Sequence, residues 1–562
     1  VIAEMKMRGA KILLESLKRE GVEVMFGIPG GAIIHVFDDL YDDPDIRFIH
    51  VRHEQAAAHA ADGYARATGK VGVAIATSGP GATNLVTGIA TAYMDSIPIV
   101  TITGQVPTYL MGNDAFQEVD FIGITRPICK HSYLIRSASE VAQIVKQAFY
   151  IAKTGRPGPV IIDFPKDAQT DEAVFEYPER VEIRGYKPTY EGHPKQIAKA
   201  AELINNAKRP VILAGGGVIA SEAWEELRRF AIKTGIPVTT TLMGLGSFPE
   251  THPLSLKMLG MHGTRYANYA VSNCDLLICI GARFDDRVTG KVDKFAPEAK
   301  IIHIDIDPSS IGKTVAADVP IVGDAKRILR ELIKLVKPLD IQPWIKQIEE
   351  WKRKYPLTYK QSSDRVKPQF VIEQIYEATR GEAVIVTDVG QHQMWAAQFY
   401  QHTKPRHFLS SGGLGTMGYG FPAAIGAQVG CPDKLIFVIS GDGSFQMNMQ
   451  ELSTVVMYNL PVKVAIINNS YLGMVRQWQE LFFNRRYSAV YFKFNPDFAK
   501  LAQTFGIKGI RVERPEQVRP AIDEAIDTNG PVVIDFIVDS EENVFPMVPA
   551  GAPLEEMIGG MA

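Results

Sequence analysis

Cysteine is scarce in this chain. Four occur among 562 residues, Cys129, Cys274, Cys279 and Cys431. They lack the close pairing that zinc sites and redox motifs need, so reduced, mostly buried thiols are expected. An excess of one charge is lacking too: 60 Lys and Arg stand against 63 Asp and Glu, a formal net charge of −3. That leaves no electrostatic case for nucleic acid or an anionic membrane as partner. No signal peptide is visible; a cytoplasmic location is expected, or an organellar one after removal of a leader. Membrane-spanning runs are missing as well. The uncharged stretch 71–94 is interrupted by Gly79, Pro80, Gly81, Thr83 and Asn84, which a lipid-facing helix would not tolerate. A buried strand, turn and helix is the expectation there.

What is present is alternation. Apolar runs of strand length at 71–76, 99–103, 160–164, 211–214, 276–280, 301–306, 384–387, 435–439 and 464–467 are separated by helix-length segments and bounded by Gly or Pro. This is the pattern of parallel sheets covered on both faces. Two polar, proline-bearing stretches, 177–195 and 337–367, read as linkers. They divide the chain into blocks 1–180, 190–340 and 365–562, each of domain size. The expected class is α/β, with three doubly wound parallel-sheet domains. The first and third blocks look related. VAIATSGPGATNLVTGIATAYMDSIPIVTITG from Val73 and FVISGDGSFQMNMQELSTVVMYNLPVKVAIINN from Phe437 both run strand, Ser-Gly-x-Gly, helix, Pro, strand.

In the third block the strand ending at Ser440 leads into Gly441-Asp442-Gly443, a helix-length segment 446–459, Pro461, and a second strand ending at Asn468-Asn469. A βαβ unit brings both strand ends to one edge of a sheet, where ligands bind. Asp442 and Asn469 are therefore expected to meet. A carboxylate and an amide oxygen are hard ligands suited to magnesium, which keeps positions open for phosphate oxygens. Flanking glycines let the backbone approach, and a helix N-terminus favours negative charge.

This segment resembles the cofactor-binding motif of thiamine-diphosphate-dependent decarboxylases and carboligases. The resemblance implies Asp442 and Asn469 as metal ligands with a carbonyl from Tyr471, and Gly441, Gly443 and Ser444 beside the diphosphate. It implies SGGLGTMGYG (411–420) as the strip that cradles the aminopyrimidine, with Gly415 accepting from the cofactor amino group and Met417 wedging the cofactor into its bent shape. Gly390, Gln391, His392 and Met474 are implied as further contacts. HEQAAAHAADGYARATGK from His53 is similar to the segment that supplies the family's activating carboxyl, here Glu54. That group would hold the ring nitrogen and favour the imino tautomer that removes the thiazolium proton. Glu54 lies in the first block and the metal pair in the third, so one cofactor bridges two domains. The family draws these from different subunits, which implies a homodimer at least.

In the middle block, Ala214-Gly215-Gly216-Gly217 and Gly281-Ala282-Arg283 follow strands, and His303-Ile304-Asp305 ends another. The arrangement is nucleotide-binding-like, although such glycine turns also occur as plain structure. The block resembles the FAD-binding middle domain of acetohydroxyacid synthase and pyruvate oxidase. A Rossmann-like FAD-binding domain is thus expected, with contacts from Arg156, Gly215, Gly216, Gly217, Thr240, Leu242, His262, Gly281, Arg283, Asp305 and Asp324.

GIPGGAI (27–33), GQVPTYLMGNDAFQEVDFIGITRPICKHS (104–132), FPKD (164–167), LGMHGT (259–264), GARFDDRVTG (281–290) and GMVRQWQELFF (473–483) narrow the likeness to the catalytic large subunits of acetohydroxyacid synthase, also called acetolactate synthase. The resemblance implies decarboxylation of pyruvate and transfer of the hydroxyethyl unit to a second pyruvate or to 2-ketobutyrate. The products would be 2-acetolactate or 2-aceto-2-hydroxybutyrate, feeding valine, leucine and isoleucine synthesis. It implies thiamine diphosphate, Mg2+ and FAD as cofactors, and a homodimer or homotetramer with or without a small regulatory subunit. Arg287 would hold the second substrate's carboxylate, unless it forms a surface pair with Asp285 or Asp286. Trp478 would wall the pocket for the longer acid, or else pack in a core. Gly31, Gln117 and Lys166 match positions near the reaction intermediate, with the Gly31 N–H aimed at a developing oxyanion. Segments 473–486 and 544–551 read as lid candidates. The rival readings are an FAD-dependent pyruvate oxidase, a decarboxylase that releases free aldehyde, and a non-catalytic homologue, which should have lost Glu54 or the Asp442–Asn469 pair.

Overall fold

The computed structural model describes residues 6–559. Valine- and isoleucine-rich segments such as Val160–Pro165, Leu276–Ile280 and Ile436–Gly441 are buried along their whole length. β-branched residues suit a pleat covered on both faces, and parallel sheets are built of such strands. The chain forms three six-stranded sheets of this kind.

The first sheet runs, edge to edge, Arg47–His50, Val24–Gly27, Gly72–Ala76, Ile99–Gln105, Val160–Pro165, His131–Leu134, all parallel. The last runs Phe408–Leu409, Val384–Thr387, Ile436–Gly441, Lys463–Asn468, Val532–Ile537, Lys508–Val512, also parallel. Numbered by chain order within each sheet, both follow second, first, third, fourth, sixth, fifth. The middle sheet is ordered third, second, first, fourth, fifth, sixth, from Ser255–Met258 to Val319–Val322. The stretch 71–94 is the expected strand, turn and helix, as Gly72–Ala76, Pro80–Asn84 and Val86–Asp95. Among the described residues no helix is long and apolar enough to cross a membrane. All four cysteines are free, with Cys274 and Cys279 buried.

One apolar core joins the first and last sheets. Its centre is the contact of helix α1 (Glu54–Thr68) with helix α2 (Gly420–Gly430). A Cβ at Gly63 would stand 2.6 Å from the Ala423 carbonyl carbon, and one at Gly426 2.6 Å from that of Ala60. The backbones therefore touch, which only glycine at these points permits. At the end of α1 a buried ion cluster fixes the docking. Arg66 pairs with Asp62 at 2.6 Å and Asp95 at 2.8 Å and donates to the Ser410 carbonyl, while the Tyr419 hydroxyl donates to Asp62.

Two local expectations are corrected. The segment 446–459 is not one helix: a turn separates Asp442–Phe445 from Met449–Glu451 and Leu452–Met457. The cause is Asn448, whose side-chain amide turns inward to donate to the Gly418 carbonyl at 2.6 Å. The stretch 337–367 is not a bare linker either. It holds a helix, Gln342–Lys354, anchored by buried Trp344 and Ile348, with the Trp344 indole donating to the Pro210 carbonyl. The tail is docked: Val544, Met547 and Val548 are buried, and the Val548 N–H donates to the Met261 carbonyl.

Candidate functional site

Parallel strands present their carboxyl ends along one edge, and ligands bind there. In the first domain Gly31 lies on the loop leaving Val24–Gly27, and Glu54 opens α1 beyond Arg47–His50. Gln117 follows Ile99–Gln105, and Lys166 follows Val160–Pro165. Glu54 is buried, and one oxygen accepts from the Asn84 amide at 2.9 Å. Its other oxygen would lie 3.3 Å from a Cβ at Gly81, and a Cβ at Gly79 would stand 2.9 Å from the Gln117 carbonyl oxygen. These glycines thus let the Glu54 carboxyl and the Gln117 loop come close. Gln117 holds a left-handed φ of 59°, and Gly31 has open space where a side chain would stand.

In the last domain Gly441 pairs with Ile467 across adjacent parallel strands, so Asp442 and Asn469 leave the same edge side by side. Both line a cavity of about 80 Å³ together with Gly390, Gln391, His392, Gly441, Gly443, Ser444, Tyr471 and Met474. Asp442 is 1% exposed; burial pushes its carboxyl up to about 6, although the Asn495 amide donates to it at 2.7 Å. The Asn469 amide nitrogen donates to Gln391, and its oxygen accepts from the Tyr471 N–H at 3.0 Å, leaving that oxygen a second lone pair.

The residues fit a hard cation carrying a diphosphate. The donor set is one carboxylate, one amide oxygen and one backbone carbonyl. A Cβ at Gly441 would stand 2.8 Å from the His392 ring, and one at Gly473 2.6 Å from the Asn469 side chain, so glycine keeps the cradle open. Among the described residues buried His392 has no partner at Nε2, and burial drives its imidazole down to about 3, which keeps it neutral.

Val389, Gly390, Met417, Met474 and Val475 line both this cavity and a cleft of about 1690 Å³ that all three domains border. Gly415, Trp478 and Arg287 also face the cleft. Gly415 takes a φ of 69°. Trp478 is half-buried, edge-on to Phe482. Arg287 is exposed and pairs with Asp286 at 2.7 Å. Glu54, Gly31, Gln117 and Lys166 line neither space. Within one chain the two groups of candidates stay apart.

Two groups beneath and beside the site, buried Asp388 and half-buried Asn495, carried no motif signal. Asp388 accepts from the N–H groups of Gly418 and Gly420 and from the Ser440 hydroxyl, so it shapes the strip 411–420 from beneath; its place directly after an apolar strand was the available clue. Asn495 orients Asp442 across 53 positions of sequence, which no local pattern could reveal.

Comparison with known proteins covers most of the chain. Residues 7–124 match the thiamine pyrophosphate enzyme N-terminal TPP binding domain, 197–332 the central domain, and 388–536 the C-terminal TPP binding domain. The chain is 53% identical to a probable acetolactate synthase large subunit of Methanocaldococcus jannaschii, over 98% of this chain and 95% of that one. It is 52% identical to the acetolactate synthase large subunit of Corynebacterium glutamicum, over 97% and 89%. To the acetolactate synthase isozyme 3 large subunit of Escherichia coli it is 47% identical, over 98% of each.

The match at 197–332 corrects the expectation for the middle block, which is the central domain of thiamine pyrophosphate enzymes and not an FAD-binding Rossmann domain; FAD is not supported as a cofactor. Most of the residues assigned to it line the cleft, and several have partners within the protein. Gly215 and Gly217 abut Gly281, a Cβ at Gly217 falling 2.6 Å from the Gly281 Cα, so this glycine turn serves chain packing. Arg156 pairs with Asp307 and Arg283 with Asp285, while Asp324 caps the helix Ala325–Leu335. Asp305 accepts from the Asp307 N–H, and buried His262 lies against the Pro546 carbonyl. Gly216 begins the short helix Gly216–Ala220, Thr240 ends the strand Val238–Thr240, and Leu242 begins the single helical turn that follows it.

Proposed function

Because the chain belongs to the thiamine pyrophosphate enzymes, and within them with the acetolactate synthase large subunits, we propose that it decarboxylates pyruvate and joins the two-carbon unit to a second 2-keto acid, pyruvate or 2-ketobutyrate. The observation that carries the reading is the Asp442–Asn469–Tyr471 oxygen set opening, past Met417 and Met474, into the large cleft. Asp442, Asn469 and Tyr471 would hold Mg2+ and through it the diphosphate, with Gly390, Gln391, His392, Gly441, Gly443 and Ser444 around it. When bound, thiamine diphosphate supplies the nucleophilic carbon and the electron sink for decarboxylation. Gly415 and Met417 would seat the pyrimidine, and Glu54 would hold its ring nitrogen.

Glu54, Gly31, Gln117 and Lys166 do not line the cleft of their own chain, so the working unit would be a homodimer in which a partner copy brings them. Arg287 would leave Asp286 to bind the incoming carboxylate, and Trp478 would bound the acyl chain. Product identification from pyruvate alone and with 2-ketobutyrate tests the reaction. Acetolactate and acetohydroxybutyrate are expected; peroxide or free acetaldehyde as sole product would overturn it. Glu54→Gln should lower turnover by about 100-fold or more while Mg2+-dependent cofactor affinity persists. Near-normal turnover would sink the role of Glu54.

A further inference from the structure

Glu451 lies nine positions beyond Asp442, at the end of the short helix Met449–Glu451. It is fully buried, and among the described residues no cation pairs with it. All but one of its donors belong to the backbone that enters α1. The Arg52 N–H donates to Oε1 at 3.0 Å and Oε2 at 3.3 Å, and the His53 N–H also faces it. The Thr454 hydroxyl donates to Oε2 at 2.6 Å. The Arg52 guanidinium turns outward to the His50 carbonyl and Met457. A second grip comes from Tyr458, whose hydroxyl accepts the His50 N–H at 2.8 Å. The next residue after this gripped turn is Glu54, and His53 caps the helix by accepting from the Gln55 N–H. Burying a carboxyl without a counter-charge is unfavourable, and burial pushes this one up to about 7. A fold that tolerates the cost at this place gains a fixed path for the chain just before Glu54.

We infer that Glu451 is a positioning residue for Glu54: from the segment that carries Asp442 it holds the Arg52–His53 backbone and so sets where the Glu54 carboxyl stands. The inference rests on the role of Glu54 proposed above. In a dimer that shares its sites between copies, one stretch of chain, 442–454, then touches the metal end of one site and the activating acid of the other.

The test is the exchange of the thiazolium proton for deuterium in the holoenzyme, followed by NMR of thiamine diphosphate released after rapid quenching. Magnesium-dependent cofactor affinity, KM for pyruvate and thermal melting are measured on the same samples. A carboxyl displaced by a fraction of an ångström to an ångström loses roughly one to two powers of ten in rate. Glu451→Ala should therefore slow exchange about 10-fold or more, with affinity and KM within about threefold. Glu451→Gln keeps one oxygen for the Arg52 N–H and should slow it about threefold. Wild-type exchange in either folded variant overturns the inference, as does a loss of cofactor affinity that matches the loss of exchange. If Glu451→Ala does not assemble, Glu451→Gln carries the test alone. Wild-type exchange in Glu54→Gln would overturn the reading of Glu54 itself, whereas slowed exchange there with wild-type exchange in the Glu451 variants would overturn only the role of Glu451.

Discussion

Gly426→Ala adds one methyl group at the contact between α1 and α2. The new carbon would stand 2.6 Å from the Ala60 carbonyl carbon and 2.9 Å from its Cα. The Ala60 carbonyl oxygen is nearer still, and comfortable contacts lie near 3.5–4.0 Å, so the helices must part by more than about 1 Å. Neither helix can yield alone, since Arg66 on α1 is tied to Asp95 and the Ser410 carbonyl, and Asp62 on α1 accepts from Tyr419 at the start of α2. Ala in place of Gly gains about 1 kcal/mol of helix propensity. Overpacking a tight contact costs about 1–3 kcal/mol, and a clash with backbone falls at the upper end. A net loss of about 1–2 kcal/mol follows. A chain of three domains does not unfold in one step, so the reading is the first thermal transition, which should fall by about 2–4 °C for each kcal/mol. Activity should fall with it, because α1 begins at Glu54. A first transition at or above the wild-type temperature, with full activity, would refute the argument that backbone contact leaves no room for a methyl group.

Two further outcomes are expected. Asp442→Ala should weaken cofactor binding about 10-fold or more when Mg2+ is present and have little effect when it is chelated; equal affinities with Mg2+ would count against the metal set. Glu250 is buried and accepts the His402 N–H at 2.8 Å, and burial raises its carboxyl from an ordinary 4.5 to about 7. Between those values the folded state binds more protons than the unfolded one, so this group lowers stability as pH rises from about 4.5 to 7 and keeps it lowered above. Glu250→Gln, which still offers an oxygen to His402, should stabilise by less than about 1 kcal/mol at pH 5 and by roughly 3 kcal/mol at pH 8. Denaturant melts at both values check this, and a gain independent of pH would speak against the cause.

The chemistry-bearing end of the molecule was legible because it follows from strand geometry. Asp442 and Asn469 had to meet once two apolar runs became adjacent parallel strands, and the register Gly441 to Ile467 delivers that. What escaped depends on side chains that reach across the fold. Asn448 breaks the helix at 446–459 for a carbonyl 30 positions away, and Asn495 finds Asp442 only after the sheet has formed. The middle block failed for a different reason. A glycine turn after a strand has the same look whether it faces a phosphate or another turn, and here Gly217 faces Gly281. In 337–367 the prolines drew attention away from Trp344 and Ile348, whose spacing already marked a helical face.

The equal strand order of the first and last sheets gives the divided site a structural origin. In each sheet the helix after the second strand is the one that meets its counterpart, α1 after Arg47–His50 and α2 after Phe408–Leu409. Their contact is reciprocal: Ala60 meets Gly426, and Gly63 meets Ala423. Equivalent elements of two related units packed this way imply an approximate twofold relation between them. Ahead of α1 stands Glu54's turn; ahead of α2 stands the strip 411–420 with Gly415 and Met417. The loops after the third and fourth strands have diverged. In the last sheet they carry Asp442 and Asn469; at the matching strand ends of the first stand Pro80 and Gly104-Gln105, which offer no carboxylate there. A duplicated unit so arranged would keep the metal in one copy and the acid in the other, and Glu451, reaching from the metal-bearing copy to the turn before Glu54, is where the two are joined.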